Sequence, residues 1–352
     1  MKAKKWRAVG AVALFLCLCG LLLGMAQALL VPHDRAANPE AFLMHEYMEA
    51  DVSRDEVVFL GDCEVYESFS PVTLWQEYGI ESRVVGTPGQ QMWHSYAALC
   101  EVLERSYPRV VVLGVYGLVY NEPTLEVYNR MALDALPMSA VRWDAVRTGL
   151  TEDETALSYL FPLLRYHDRW SSLTWRDVTA LTEPQAPVSS RGYLVKTGVV
   201  SADASHPDHE GALPPLTDAF GETALDYFDR IVTLCRESGA QLVLVKAPTD
   251  SWRYPWHDEY EMQAIALAER YGLPYYNLLN DFESIDLDLM TDSYDGGLHL
   301  NVSGAEKLSV WFGHILTEQY DLSDGRTNET VAGVWQGEIK QYEKMKQEGS
   351  AP

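Results

Sequence analysis

Two short stretches of this chain carry side chains that together could do covalent chemistry. Residues 59–66 read FLGDCEVY: an apolar run, a Gly, an Asp and then Cys63. Residues 294–304 read YDGGLHLNVSG, with His299 four positions after Asp295. A thiol attacks as its thiolate, and a nearby His or a helix N-terminus favours that form. A His whose tautomer is fixed by a carboxylate can take the thiol proton and return it to a leaving group. The chemistry on offer is acyl transfer through a thioester. The same residue types also fit a small Cys at a tight turn and a structural His. The tetrapeptide GDCE does not decide between them.

The surrounding pattern would bring the two stretches together. EVVFLGD (56–62), SRVVG (82–86), RVVVLGVYG (109–117), QLVLVKAP (241–248) and LPYYNLL (273–279) read as short apolar strands. Strands of this kind, apolar throughout, belong to parallel sheets buried on both faces. Between them lie helical patterns over 71–79, 90–106, 223–239 and 259–272, and 302–320 closes the series. Gly79, Gly239 and Gly272 read as helix stops. Alternation through short connections predicts an α/β fold with five parallel strands. A flavodoxin-like doubly wound sheet in the order 2-1-3-4-5 is expected, with ligands at the carboxyl ends of the strands. Cys63 then follows strand 1 and His299 follows strand 5, both at that edge. Residues 118–220 interrupt the alternation with helical stretches and a Pro/Gly/Ser-rich end, 184–220. They are expected to form an insertion over the carboxyl ends. Residues 33–55 read as a connector, 56–320 as the domain, and 321–352 as a polar tail with one helix.

At these residues the chain resembles the SGNH/GDSL hydrolase superfamily. GDC stands where that superfamily has Gly-Asp-Ser, and DGGLHLNVSG resembles its Asp-x-x-His block. The resemblance covers most of 55–320 outside the insertion. It implies a Cys63–His299–Asp295 variant of the family's triad performing ester hydrolysis or acyl transfer. Asp295 is one position further from the His than in the family. Gly296 and Gly297 could absorb the extra residue, and Asp292 is the alternative acid. The family's Gly-x-Asn-Asp block after strand 3 is missing from LGVYGLVYNEP, so the amide donor is either Asn121 or absent. VVGTPGQQ stands for the second-strand glycine block. The resemblance implies an oxyanion site from the Cys63 N–H with Gly86 or Gly89, with the Gln90 side chain as a further donor.

Other polar residues could line a cleft: Lys246 at the end of LVLVK, and Arg130, Arg165 and His167 in the insertion. Each also fits an ordinary ion pair with one of the many acids. There is no phosphate loop, dinucleotide fingerprint or metal-ligand spacing, so no cofactor is expected.

The N-terminus sets the location. Lys2, Lys4, Lys5 and Arg7 precede an uncharged run of 24 residues, Ala8 to Val31. About 20 helical residues cross a bilayer core, so a single transmembrane anchor is expected, with its basic end in the cytoplasm. The rival is a cleaved signal peptide, for which Ala26 and Ala28 offer small residues; signal-peptide cores are usually shorter. Cys17 and Cys19 each follow a Leu, where a lipoprotein signal wants a small residue. After residue 32 the chain holds 23 basic against 51 acidic side chains, a net of −28. That balance argues against nucleic acid, which needs clustered Lys and Arg. Cys63, Cys100 and Cys235 are too far apart for a disulfide framework.

The expectation is therefore a bacterial cell-envelope acyltransferase or esterase, anchored in the membrane and working outside it on a polymer or glycan. The anchored topology is similar to that of D-alanyl transfer proteins of lipoteichoic acid and polysaccharide O-acetyltransferases. That similarity implies a membrane-bound O-acyltransferase as partner. The alternative is an inactive SGNH-like binding or scaffold partner of such an enzyme.

Overall fold

The computed structural model of the chain describes residues 2–202, 220–250 and 257–349. The last part of the Pro/Gly/Ser-rich stretch, 203–219, lies outside the described residues.

The helices in chain order are α1 (Lys2–Leu30), α2 (Leu43–Glu49), α3 (Cys63–Tyr66), α4 (Pro71–Tyr78), α5 (Met92–Arg105), α6 (Glu126–Leu133), α7 (Ala140–Gly149), α8 (Leu157–Leu160), α9 (Leu163–Tyr166), α10 (Trp175–Thr179), α11 (Glu222–Ser238), α12 (His257–Tyr271), α13 (Phe282–Ile285), α14 (Val302–Gln319) and α15 (Glu329–Glu348). The strands are β1 (Val57–Gly61), β2 (Ser82–Gly86), β3 (Val110–Gly114), β4 (Gln241–Lys246) and β5 (Tyr275–Asn277).

The five strands form one parallel sheet in the order β2-β1-β3-β4-β5. This is the flavodoxin-like order, with the chain reversing direction of travel at β1 and β3. Strands β1, β2 and β3 are buried along their whole length, which is why they read as unbroken apolar runs. Alternate residues Val57, Phe59, Val110, Val112, Val243 and Val245 belong to one core beneath α4, α14 and α15. Phe59 stacks on Phe69 there at 4.4 Å, and Phe312 meets Phe69 edge-on. Helices α5 and α11 pack against each other. Gly79 and Gly239 end α4 and α11 in the left-handed region, as their positions in the sequence suggested.

The chain divides into two compact units. One holds residues 39–151 and 187–352; the other holds 1–38 and 152–186. The expected single insertion over 118–220 is thus split. Residues 118–151 and 187–202 fold with the sheet, while 152–186 fold with the N-terminal helix. The expected tail is also part of the core of the larger unit. Helix α15 buries Val331, Trp335 and Tyr342, and Trp335 stacks flat on Trp75 at 4.7 Å. Within 33–55, α2 buries Leu43, Met44 and Tyr47, so it is more than a connector. Helix α1 contains a stretch, Val9–Leu30, long and apolar enough to cross a membrane.

Candidate active site

Cys63 is the first residue of α3, directly after β1 and Asp62. The turn is tight because two glycines lie under it. A Cβ on Gly61 would come 2.5 Å from Val65 Cγ2, and one on Gly114 would come 2.4 Å from the same atom. Val65 therefore seats over the ends of β1 and β3 and holds the start of α3 down on the sheet. Asp62 caps the helix, its side chain accepting from the Glu64 N–H at 3.2 Å. As the first helical residue, Cys63 has an N–H that points out of the helix end, beyond the reach of any carbonyl of that helix.

His299 arrives on the loop before α14. Asn301 caps that helix, accepting from the N–H groups of Ser303 at 3.0 Å and Gly304 at 3.2 Å. Its amide also donates to the Thr291 carbonyl at 2.8 Å, which fixes the loop from below. Gly296 and Gly297 both have positive φ, 80° and 96°. They let the backbone turn between Asp295 and His299. The loop is tied to the end of β4, where the Asp250 N–H donates to the Gly297 carbonyl at 2.7 Å.

These two loops meet. His299 Nδ1 donates to Asp295 Oδ2 at 2.7 Å, and Asp295 Oδ1 accepts from the His299 N–H at 2.9 Å. His299 also neighbours the Cys63 side chain, and each shifts the other's titration. With Nδ1 turned to the carboxylate, the nitrogen left for the thiol is Nε2. Asp292 is engaged elsewhere, accepting from Lys307 Nζ and Ser303 Oγ, each at 2.8 Å. Its alternative role as the acid beside His299 is excluded by that geometry.

The site holds a second carboxylate that the motif comparison did not reveal. Glu67 is buried, and its Oε2 lies 3.6 Å from His299 Nδ1. Tyr294 donates its hydroxyl to Glu67 Oε2 at 2.9 Å and stacks its ring on His299. Lys196 Nζ is 3.9 Å from Glu67 Oε1. Lys196 comes from the returning end of the insertion, where the Leu194 N–H donates to the Tyr66 carbonyl and the Val302 N–H donates to the Lys196 carbonyl. The one signal in the sequence was spacing: Cys63 and Glu67 are four apart, one helical turn.

Electrostatics follow from burial. The Cys63 thiol is pushed up to about 11, chiefly by burial, with His299 opposing. Burial also lifts Glu67 to about 7 against the pull of His299 and Lys196. Asp62 rises to about 7 through burial and the neighbouring Glu64 charge. Burial disfavours the charged form of His299, but Cys63, Asp295 and Glu67 outweigh it and hold the imidazole well above its usual value. Asp295 is held below its usual value by His299, despite burial.

The remaining expected site residues separate. Lys246 is buried and donates to Glu64 Oε1 at 2.6 Å, so it forms an ion pair beside the Cys63 turn. Gly86 ends β2 opposite Gly61, where a Cβ would come 2.6 Å from the Gly61 carbonyl oxygen. Gly89 turns the following loop at φ +57° under the Tyr128 ring. The Gln90 side chain is spent in a buried chain, accepting from Thr87 Oγ1 at 3.1 Å and donating to Ser95 Oγ at 3.1 Å. Asn121 does not take the place of the missing amide. It is exposed, and its Oδ1 accepts from the Thr223 N–H at the start of α11. The loop after β3 brings Tyr116 and Tyr120 instead, edge to face, both raised by burial and by the charge of Asp62. Arg130 bridges Glu126 and Asp134 along its own helix, a structural pair. Arg165 and His167 belong to the unit built on α1, not to the one that carries Cys63. Arg165 lies over the Tyr166 ring, and His167 Nδ1 donates to the Leu164 carbonyl.

No protein-family model matches the chain, and no curated protein matches it. Among solved structures it is similar to the lipase/acylhydrolase from Enterococcus faecalis, 13% identical over 76% of this chain and 97% of that one, with a TM-score of 0.33. A second structure is 13% identical over 77% of this chain and 100% of its own, with a TM-score of 0.36.

Proposed function

We propose that this chain is an acyltransferase or esterase that works through a thioester on Cys63. The reading is carried by one observation: Asp295 Oδ2 holds His299 Nδ1 at 2.7 Å, while the same imidazole neighbours the Cys63 thiol and opposes its rise. That is the arrangement a nucleophile, base and orienting acid require. With a thiol held near 11, the proton leaves during attack. Cys63 Sγ bonds to the acyl carbon and its proton passes to His299 Nε2. The oxyanion faces the Cys63 N–H at the helix start, with Gly86 or Gly89 as second N–H donor. Tyr120 is the hydroxyl offered where an amide is missing. The tetrahedral species collapses, and His299 gives its proton to the departing alcohol oxygen. Water or an acceptor hydroxyl then attacks the thioester, His299 takes the incoming proton, and Cys63 leaves.

Helix α1 supports a place at the membrane, with its basic end inside and the larger unit outside. The acidic surface of that unit fits an envelope polymer or glycan presented locally, with a membrane-bound O-acyltransferase as the source of acyl groups. The test uses the full chain in detergent with p-nitrophenyl acetate and intact mass. One acetyl group on Cys63 is expected, absent in Cys63→Ala and formed far more slowly in His299→Ala. No adduct at Cys63 with short activated esters would overturn the reading and favour an inactive binding partner.

A further inference from the structure

The segment 152–186, expected within an insertion over the carboxyl ends of the strands, folds with α1. Its attachments converge on the end of the apolar run. Arg169 donates to the Leu30 carbonyl. Gln185 donates to the His33 carbonyl at 2.7 Å and accepts from the Arg35 N–H at 2.8 Å. Arg176 pairs with Asp34 at 3.6 Å. Residues 30–35 are where the uncharged helix gives way to charge. For a spanning helix, that point is the boundary between lipid and water.

At that level the segment turns large apolar side chains outward. Leu157, Phe161, Leu164, Trp170 and Trp175 are all exposed, the two tryptophans by 73% and 76%. Trp favours the headgroup layer, where its ring is half wet and half apolar. Trp6, 74% exposed near the basic end of α1, marks the opposite boundary in the same way. The segment has three Arg and no Lys against six Asp and Glu. Two of those arginines are paired with acids, Arg169 with Asp177 and the exposed Arg176 with Asp34, and the segment's net charge is negative. Its contact with a surface must therefore be apolar rather than ionic.

We infer that residues 152–186 form a collar lying in the headgroup layer around the outer end of α1, with Leu157, Phe161, Leu164, Trp170 and Trp175 dipped into lipid. The occupant of this apolar face is the bilayer, because its fastening to residues 30–35 sets it at bilayer depth. The inference rests on reading Val9–Leu30 as a membrane span. It also requires that helix to be retained, since cleavage would strip the collar of its support.

The test places the full chain in phosphatidylcholine vesicles doped with a phospholipid carrying a photoactivatable group next to the glycerol. Adducts are mapped by peptide mass. Adducts are expected in both 9–30 and 157–181. A Phe161→Ser/Trp170→Ser/Trp175→Ser variant should lose the second set at least tenfold and keep the first. Adding phosphatidylglycerol should leave both sets unchanged. Adducts confined to 9–30 would overturn the collar while sparing the span, and would point to a protein partner on this face. Adducts in neither region would overturn both. A dependence on anionic lipid would overturn the apolar mode of contact.

Discussion

Glu67→Gln separates the two carboxylates on His299. Glu67 Oε2 is 3.6 Å from Nδ1 in a buried setting. Two unit charges about 4 Å apart interact by roughly 4 kcal/mol at an effective dielectric constant near 20. One pK unit corresponds to about 1.4 kcal/mol, so complete loss of that attraction would lower His299 by up to about three units. Asp295 remains at 2.7 Å, and Tyr294 and Lys196 already draw on the Glu67 charge. The expected drop is therefore about one to two units. His299 serves as a base only when unprotonated, so a lower value extends activity to lower pH. Single-turnover acylation of Cys63 by p-nitrophenyl acetate, followed from about pH 5 to pH 9, should show the acid limb moved down by about one to two units. The plateau should stay within about tenfold, because Gln can still accept from Tyr294. Asp295→Asn should instead lose about a hundredfold or more at every pH, since it leaves the wrong tautomer. An unmoved acid limb, or a uniform loss matching that of Asp295→Asn, would refute the role given to Glu67.

Other expectations rest on separate features. Glu67 is raised from 4.5 to about 7 in the folded state, so its contribution is full below about 4.5 and fades as pH rises through 7. Urea titrations should show Glu67→Gln more stable than wild type by about 2–3 kcal/mol at pH 8, with the gap closing toward pH 4.5. Lys246→Met removes the cation 2.6 Å from buried Glu64 and should cost about 3–5 kcal/mol, most of it recovered by adding Glu64→Gln. Trp335→Ala should cost about 3–5 kcal/mol by chemical denaturation if α15 belongs to the core; a negligible change would mean that the helix is an appendage.

The sheet was legible because its residues had to be. Strands covered on both faces leave no polar alternation, and glycines at Gly61, Gly86 and Gly114 mark where helices press on strand ends. Cys63 and His299 could be placed at the same edge from element order alone. Glu67 could not, because its pairing depends on how α3 is rotated over Gly61 and Gly114. By charge alone Arg130, Arg165 and His167 fit either a cleft or an ordinary pair, because a polar side chain's partner is fixed by packing; Arg130 takes the pair, with Glu126 and Asp134. Trp335 and Tyr342 lay in a stretch whose average polarity hid one apolar stripe.

Helix α15 also imposes an order on the protein's own manufacture. Its Trp335 backs the helix that follows the thiol turn, and its Tyr342 hydroxyl donates to Glu306 on the helix that follows His299, at 2.8 Å. The ribosome delivers Cys63 early and this clasp late. Until residue 299 has been made, Cys63 lacks the imidazole that it neighbours in the fold. The stretch from Cys63 to Trp335 is thus the span of synthesis over which the thiol turn stays without the packing that α15 completes.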